Sequence, residues 1–334
     1  MATFLGKGLR SWEKLTNFVA KMSIVAYIVL LIALMAVEAL YMRFARAIGA
    51  VSACHERDSH HRPTVIGGGI VFYVAAVVAV LMAAPVNWWL FGGLTALAAI
   101  SFADDLRPQS VPLRLAVQAV AVGTVLHAAG CSLWWLVPAL AFVNACNFMD
   151  GINGLAAGYN LLLMLTLLAA QYLLGQEYNT LTLCTLAACI VFAFCNFRTR
   201  PRCFAGDVGS ITAAAIALYL LAELMTADGS LRFVAFVAVY GVDAALTIAH
   251  RILLRRPIWR AHRMHLYQIL SNEVGLPHLL TASIYVGVQL LINVGTLLIA
   301  PDSGYAYLAA VIAALSATYI ILIRRYFPLH QLPD

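Results

Sequence analysis

Charge is scarce in this chain. Only 11% of its 334 residues are Asp, Glu, Lys or Arg, and just 15 are acidic. Hydrophobic residues make up 63% of the sequence, and the mean hydropathy is +0.88. Since a soluble globular domain carries about 25% charged residues, this composition excludes that class. The sequence therefore predicts an integral membrane protein, and we expect no nucleic-acid partner.

The chain also lacks the alternating ten-residue segments of a membrane β-barrel. It contains instead eleven apolar runs of roughly 17 to 25 residues, the length that crosses the hydrocarbon core as a helix. Their connections are short, so we predict an all-α polytopic bundle of about eleven transmembrane helices in one domain over 22–334. The predicted spans are 23–41, 66–85, 87–103, 112–129, 132–149, 154–175, 180–197, 210–227, 231–250, 278–299 and 304–323.

Cysteine gives no sign of a disulfide framework or of a zinc motif. The seven cysteines are odd in number and lie mostly within or beside the apolar runs. Their spacings match neither pattern. We expect all of them to be reduced and to pack as small apolar side chains.

Basic residues are distributed unevenly along the chain. Sixteen of the 21 Lys and Arg residues lie in odd-numbered connections or in the C-terminal segment. Because basic residues near span ends are retained in the cytoplasm, we predict that these connections are cytoplasmic and that the N-terminus is outside. Four basic residues before the first run conflict with this topology, so residues 1–21 are interpreted as an amphipathic surface helix or as an extension upstream of a natural start at Met22.

Carboxylates recur where apolar runs end. Asp104 and Asp105 close the third run, flanked by Arg107 and Arg114, and two anions at the negative end of a helix dipole favour a metal or a basic partner. Asp207 lies in a glycine-flanked turn that opens the eighth run. Scattered carboxylates fit magnesium better than zinc. The alternatives are a solvated turn at the aspartate pair and an ordinary helix N-cap at Asp207.

Amide side chains accompany a further carboxylate between the fifth and sixth runs. Asn144 and Asn147 share a helix face, as do Asn147 and Asp150. Because amides buried in lipid are costly, we expect this strip to face protein, water or ligand. The alternative is helix capping, with Asp150 or Asn153 as the N-cap of the sixth run.

Two connections carry features that suit a phosphate. The first leads through His and Arg residues to Gly67, Gly68 and Gly69, whose backbone N–H groups at a helix start can bind an anion; a flexible turn with lipid-facing basic residues is the alternative. The last, from Arg251 to about 277, is basic and attracts anions, with a lipid-headgroup anchor as its alternative. We expect Asp243, inside the ninth run, to pair with a basic neighbour.

In their order, these motifs resemble the polyprenyl-phosphate N-acetylhexosamine-1-phosphate transferases, bacterial membrane enzymes of the glycosyltransferase family 4 type. The similarity covers most of the chain, and its final stretch, residues 261–268, resembles the branch that initiates O-antigen or other surface polysaccharides. The family-like strings are Ser59-His60 with Pro63-Thr64 and Gly67-Gly68-Gly69, Asp104-Asp105 with Leu115 and Gln118, Asn144 and Asn147 with Asp150-Gly151 and Gly154-Leu155, and Gly206-Asp207 with Gly209-Ser210.

The sequence departs from the family pattern in three places. A Pro-Arg pair often precedes the family's three glycines but is absent here, so we expect Arg62 to supply that basic residue. Asn153 replaces a common second aspartate, which puts a metal or base role there in doubt. Of the adjacent histidines that end many members, only His265 is present, with His262 one helical turn earlier.

The resemblance implies transfer of a sugar-1-phosphate from a UDP-N-acetylhexosamine to undecaprenyl phosphate, which gives UMP and the diphosphate-linked lipid. It implies dependence on Mg²⁺, with Mn²⁺ as a substitute, and a site at the cytoplasmic face of the bacterial inner membrane, among membrane lipids. The sugar, the glycan pathway and the oligomeric state, a homodimer included, stay open. The alternatives are a secondary transporter of an anionic or lipid-linked substrate and a peptidoglycan-precursor phosphotransferase.

Residue roles follow from the resemblance. We expect Asp207 to hold magnesium with support from Asp105, Asp104 to position or deprotonate the acceptor phosphate, and His265, on a surface loop, to act on the phosphates. The catalytic set is thus Asp104, Asp105 and His265. The residues expected to bind substrate are Ser59, His60, Arg62, Arg114, Asn147, Asp150, Asn153, His262 and Arg263.

Overall fold

The computed structural model describes residues 23–52, 63–257 and 262–330. The predictions for residues 1–21 and for Ser59, His60 and Arg62 lie outside these ranges. Within them the chain forms apolar helices that we label α1 to α11. They are α1 (Ile24–Ala47), α2 (Ile70–Met82), α3 (Trp88–Leu106), α4 (Val111–Ala128), α5 (Leu136–Phe148), α6 (Leu155–Leu173), α7 (Thr180–Asn196), α8 (Gly206–Asp228), α9 (Ala238–Leu253), α10 (His278–Leu298) and α11 (Gly304–Tyr326).

Among the described residues, eight helical stretches are long and apolar enough to cross a membrane, and three shorter apolar stretches contain α2, α5 and α7. Short 3-10 turns extend several of them: Leu133–Trp135 precedes α5, and Arg232–Val237 precedes α9. The predicted all-α polytopic membrane fold is confirmed. The largest differences in the bounds are at the start of α9, which was predicted at 231 and lies at 238 after a 3-10 turn, and at the end of α1, which was predicted at 41 and lies at 47.

Strands are confined to one small feature of the described chain. Strand β1 (Val51–Ser52) pairs antiparallel with β2 (Thr64–Val65). Val65 also forms an isolated parallel bridge with Cys203. The connection before α2 is thereby tied to the connection before α8.

Helix α8 lies at the centre of the bundle, and α1 and α11 are mostly exposed along its outside. Alanines crowd α8, and Ala213, Ala214, Ala215 and Ala217 are all buried. Small side chains let neighbouring helices approach closely, which is how helices associate where lipid removes the hydrophobic drive. The N-terminal end of α8 is therefore fixed by its surroundings, and this end carries the glycine-flanked aspartate.

Candidate active site

The carboxylate motifs of three connections are adjacent at one end of the bundle. Arg114, in the first turn of α4, donates a hydrogen bond to the carboxylate of Asp104 at the end of α3. The same guanidinium nitrogen is 3.3 Å from a carboxylate oxygen of Asp207 at the start of α8. The site is partly open, since the exposed fraction of the side chain is 33% for Arg114, 11% for Asp104 and 26% for Asp207.

Asp105 caps a helix to which it does not belong. Its two carboxylate oxygens accept the backbone N–H groups of Asp207 at 2.8 Å and Val208 at 3.0 Å. The residue before α8, Ala205, offers no side-chain cap, so a carboxylate from α3 meets the positive end of α8. The sequence indicated a cap within the motif, and a cap from the distant Asp105 was not predicted. A supporting role for Asp105 toward a cation stays a prediction.

Gly206 makes this capping contact possible. Its φ is +70°, and a Cβ there would lie 2.6 Å from the Asp105 carboxylate and 2.7 Å from the backbone nitrogen of Gly67. Any larger residue would clash with one of these groups and would be strained in the left-handed region. The glycine before Asp207 is therefore required by packing.

Asp104 is held from two sides. Besides the Arg114 contact, one of its oxygens accepts the backbone N–H of Gln109 at 2.6 Å. The expectation that a basic partner offsets the aspartate pair is thus met for Asp104. Arg114 nevertheless serves two carboxylates at once, Asp104 and Asp207.

Negative charge is in excess at this end of the bundle. Asp150 lies in the loop between α5 and α6, where burial and then the charges of Asp207 and Asp105 raise its pKa well above the usual range. Within the described part of the chain, Arg114 alone forms ion pairs with this group of aspartates. Four clustered carboxylates with one such arginine fit a bound divalent cation, since hard cations choose carboxylate oxygens.

The amide strip faces protein, as expected. Asn147 accepts a hydrogen bond of 2.7 Å from the hydroxyl of Ser210 in α8, and Asn144 donates one of 3.0 Å to the side chain of Gln118 in α4. The capping alternative is wrong, because the N-cap of α6 is Gly154, which has no side-chain cap. Asn153 is buried, and its side-chain oxygen has no hydrogen-bond partner in the described ranges.

His265 is not on a surface loop. It is 1% exposed, and its Nδ1 is 3.3 Å from a carboxylate oxygen of Asp243 in α9. The expectation of a surface position is wrong because the chain after α9 folds back into the bundle. The other ring nitrogen, Nε2, is buried with no hydrogen-bond partner among the described residues.

Asp243 holds residues 265–267 of this returning segment, a larger role than the pairing with a nearby basic residue that the sequence indicated. The carboxylate accepts the backbone N–H groups of Leu266 at 3.1 Å and Tyr267 at 3.4 Å and the hydroxyl of Tyr285 at 2.6 Å. Its basic neighbour is His265, 22 residues away, and not the nearby residues of α9. An acidic residue inside an apolar run was the signal, but its partners are distant in sequence.

The segment 262–268 also contacts the end of α5. The ring of Phe148 lies 6.3 Å from that of His262 and 6.1 Å from that of His265. The Tyr267 hydroxyl donates a 2.8 Å hydrogen bond to the carbonyl of Phe148, close to Gly151, where a Cβ would lie 2.1 Å from that hydroxyl oxygen. The predicted histidines therefore lie beside the loop that carries Asp150.

Burial and nearby positive charge lower the pKa of His262 to about 3. Its imidazole is therefore neutral near pH 7 and offers a hydrogen bond to a ligand, not a charge. Arg263 beside it is partly buried. Arg251, where the basic connection begins, is 3% exposed and donates to the backbone carbonyl of Pro257.

The three glycines before α2 serve packing. The N–H groups of Gly68 and Gly69 donate to the carbonyls of Phe204 at 2.9 Å and Ala205 at 3.0 Å, so they are not available to a phosphate. A Cβ on Gly69 would lie 2.3 Å from the Cα of Gly209 in α8. The phosphate interpretation is wrong for these two N–H groups, because the segment pairs with the chain that enters α8.

Comparisons with known proteins agree with this architecture. Residues 122–225 match the family model described as glycosyl transferase family 4. The chain is 28% identical to a decaprenyl-phosphate N-acetylglucosaminephosphotransferase of Mycobacterium tuberculosis over 84% of each chain. It is 25% identical to a probable undecaprenyl-phosphate N-acetylglucosaminyl 1-phosphate transferase of Bacillus subtilis over 76% of this chain and 78% of that one.

A more distant similarity reaches another branch. The chain is 29% identical to a phospho-N-acetylmuramoyl-pentapeptide-transferase of Chlamydia muridarum over 53% of this chain and 65% of that protein. These matches confirm the resemblance to the polyprenyl-phosphate hexosamine-1-phosphate transferases that the motifs indicated.

Proposed function

We propose, from this family relationship, that the chain transfers an N-acetylhexosamine-1-phosphate from a UDP-sugar to undecaprenyl phosphate, giving the diphosphate-linked lipid and UMP. One observation carries the proposal. Carboxylates from three connections lie near one another at one end of a bundle of apolar helices, and two of them, Asp104 and Asp207, pair with Arg114. Such an end is where a lipid phosphate and a water-soluble nucleotide sugar can meet.

The reaction brings several negatively charged phosphates together, so its main requirement is compensation of charge and alignment. Mg²⁺ bound among the carboxylates would supply the compensating charge for the donor diphosphate. Asp207 is the ligand we propose first, because its carboxylate is the most exposed of those paired to Arg114. We assign Asp104, which Arg114 and Gln109 hold, to orienting the acceptor phosphate.

Asp150 and Asn147 suit the nucleotide side of the donor. Asp150, whose pKa is raised, lies in the loop after α5, and Asn147 is oriented by Ser210. A phosphate monoester is largely dianionic at neutral pH because its second pKa is ~6, so the acceptor oxygen needs no strong base. We therefore propose direct attack on the β-phosphorus without an aspartyl-phosphate intermediate.

We further propose that this end of the bundle faces the cytoplasm of a bacterial inner membrane. The distribution of Lys and Arg supports this side. The stretch ending at Gln268 supports a role in initiating O-antigen or another surface glycan. Labelling of a single cysteine placed near residue 108 tests the topology, and labelling from outside in intact cells would contradict it.

The activity is tested with purified full-length chain in nanodiscs, undecaprenyl phosphate, magnesium and a panel of UDP-N-acetylhexosamines. We expect UMP release together with a new lipid diphosphate for at least one donor, N-acetylglucosamine first. Asp207→Asn in the same nanodiscs is the matched control. Release of UMP without a lipid product would show hydrolysis and contradict the transfer.

Two alternatives are outcomes of the same panel. Turnover only with UDP-N-acetylmuramoyl-pentapeptide would assign the chain to the peptidoglycan branch. The similarity to the Chlamydia muridarum protein is the reason to include this donor. Movement of a UDP-sugar into sealed vesicles with no UMP formed would assign it to transport. A transporter would place its polar groups near span centres, whereas Asp104, Asp105 and Asp207 lie at span ends.

A further inference from the structure

A second cluster of chemically active side chains lies outside the candidate active site. Glu38 of α1, Cys195 of α7 and Cys203 before α8 offer one carboxylate and two thiol groups, and these ligand atoms all lie within 4.8 Å of one another. All three residues are buried, with exposed fractions of 1%, 4% and 0%. We propose that this cluster is a structural zinc site.

The donors match the ion. Thiolates select soft or borderline metals such as zinc, and zinc binds Cys sulfur at about 2.3 Å in tetrahedral geometry, which places neighbouring sulfurs roughly 3.8 Å apart. Ligand atoms within 4.8 Å of one another need only small side-chain movements to reach that arrangement. Magnesium, which prefers oxygen ligands, is a poor match for two sulfurs.

The carboxylate of Glu38 independently indicates a bound ion. One of its oxygens accepts a 3.1 Å hydrogen bond from the Cys203 thiol. The other is buried and has no hydrogen-bond partner in the described part of the chain. A carboxylate so placed is costly unless it is paired, hydrogen-bonded or bound to a metal. Its free oxygen is available as a fourth donor beside the two sulfurs and the first oxygen.

The surroundings hold the donors in place. A Cβ on Gly68 would lie 2.4 Å from the Cys203 sulfur and 2.8 Å from the Glu38 carboxylate, so only glycine fits beside these two donors. The side chain of Asn196 donates a 3.0 Å hydrogen bond to the carbonyl of Cys203. The Arg202 N–H donates to the carbonyl of Cys195 at 2.9 Å, closing the loop between the two cysteines.

Nearby basic residues oppose the net charge of the site. Two thiolates and a carboxylate leave one negative charge when zinc is bound. Arg198 and Arg202 lie near enough to act electrostatically on the Cys195 thiol. The seven residues between the cysteines do not form a usual zinc spacing, and Glu38 comes from a distant helix. This explains why the sequence analysis assigned all cysteines an apolar packing role.

Such a site would fasten α1 to the segment that enters α8. Cys203 is four residues before Asp207, and Val65 and Gly68 contact the same segment. Zinc would therefore stabilise the position from which the active-site aspartate projects. The inference does not depend on the proposed transfer reaction, because the site is recognised by metal content alone.

The test uses full-length protein purified in nanodiscs with excess Mg²⁺, so that oxygen-only sites are filled before zinc is added. We expect zinc to be retained through gel filtration at equal molar amount to the chain. X-ray absorption at the zinc edge should show two sulfur ligands, and Co²⁺ substitution should give a thiolate-to-cobalt charge-transfer band. An oxygen-and-nitrogen shell, or no retained zinc, would overturn the proposal.

Variants locate the ion. Cys203→Ser, Cys195→Ser and Glu38→Gln should each lower retained zinc by at least about tenfold, whereas Cys189→Ser, a buried cysteine of the same α7 helix outside the cluster, should retain it. Unchanged retention in Cys203→Ser would contradict the site. If that variant does not fold, the wild-type absorption spectrum decides. A Cys195–Cys203 disulfide in protein purified without reductant and supplied with zinc would also overturn it.

Discussion

Asp243 and Asp207 differ in how completely their carboxylate oxygens are satisfied. Asp243 is 3% exposed and receives two backbone N–H groups, the hydroxyls of Thr247 and Tyr285, and a contact from His265. Asp207, in contrast, is 26% exposed, and its carboxylate shares Arg114, at 3.3 Å, with the neighbouring carboxylate of Asp104. A saturated carboxylate holds the chain together, and an unsaturated one is left to bind a ligand.

The largest effect expected from this contrast is on catalysis. Asp207→Asn should lower turnover by about 10²-fold or more, since electrostatic groups at a reacting phosphate contribute on this scale. Folding should be unaffected, because the backbone N–H of Asp207, and not its side chain, makes the capping contact with Asp105. Magnesium-dependent turnover and thermal midpoint are the two measurements.

A matched control for Asp207 is Asp302→Asn, which removes an exposed carboxylate in the connection before α11. It should leave both turnover and midpoint at the wild-type level. Equal loss of thermal stability and of activity in Asp207→Asn would mean that the residue is structural, and the contrast with Asp243 would fail.

The second effect is on stability. Asp243→Asn should lower the free energy of unfolding by about 1–3 kcal/mol, because an amide presents an NH₂ group where the carboxylate accepts two backbone N–H groups. Turnover should fall less than in Asp207→Asn, through movement of His265. A normal thermal midpoint with strongly reduced turnover would instead place Asp243 against the substrate.

His265 contacts Asp243 and lies beside Phe148 at the end of α5, so its substitution is expected to act differently from that of a surface residue. His265→Ala removes the ring that contacts Asp243 and leaves a small cavity in a buried position. We expect a lower thermal midpoint together with reduced turnover. His265→Gln, which can still donate to Asp243, should restore the midpoint more than the turnover if Nε2 acts on a phosphate.

A smaller effect is expected at Asp105, which caps α8. Asp105→Asn keeps one acceptor oxygen and loses the other, at a cost of about 1 kcal/mol for one capping hydrogen bond. The magnesium concentration for half-maximal turnover distinguishes its two roles. A clear rise would support Asp105 as a cation ligand, and an unchanged value with a lowered midpoint would leave it as a cap alone.

The helices were predictable because their signal is local. The length of a run of apolar residues predicts where most of the helices begin and end to within a few residues. Asp104 and Asp105 were also recognisable, since carboxylates at the end of an apolar helix need compensation. Their identical chemistry, however, gave no means to tell which one would meet Arg114 and which one the start of α8.

The rest depends on contacts between distant segments. The Asp105 cap joins residues 102 positions apart, and the Asp243–His265 contact joins residues 22 apart. The three glycines before α2 suited a phosphate-binding turn or a flexible turn, because nothing in the sequence shows that Gly69 faces Gly209. Neither polarity nor periodicity encodes such pairs, so only the packing of the bundle reveals them.

The smallest expected effect is a pH dependence of stability from His262. The pKa of His262 is lowered to about 3 by burial and nearby positive charge, whereas in the unfolded chain it is about 6.5. Below about 6.5 the unfolded state binds a proton that the folded state does not, so this residue makes folding less favourable as the pH falls toward 3. Above about 6.5 both states are neutral, and the contribution is constant. Relative to wild type, His262→Gln should therefore raise the thermal midpoint more at pH 5 than at pH 7.5. An equal change at both pH values would mean that folding does not lower the pKa of His262.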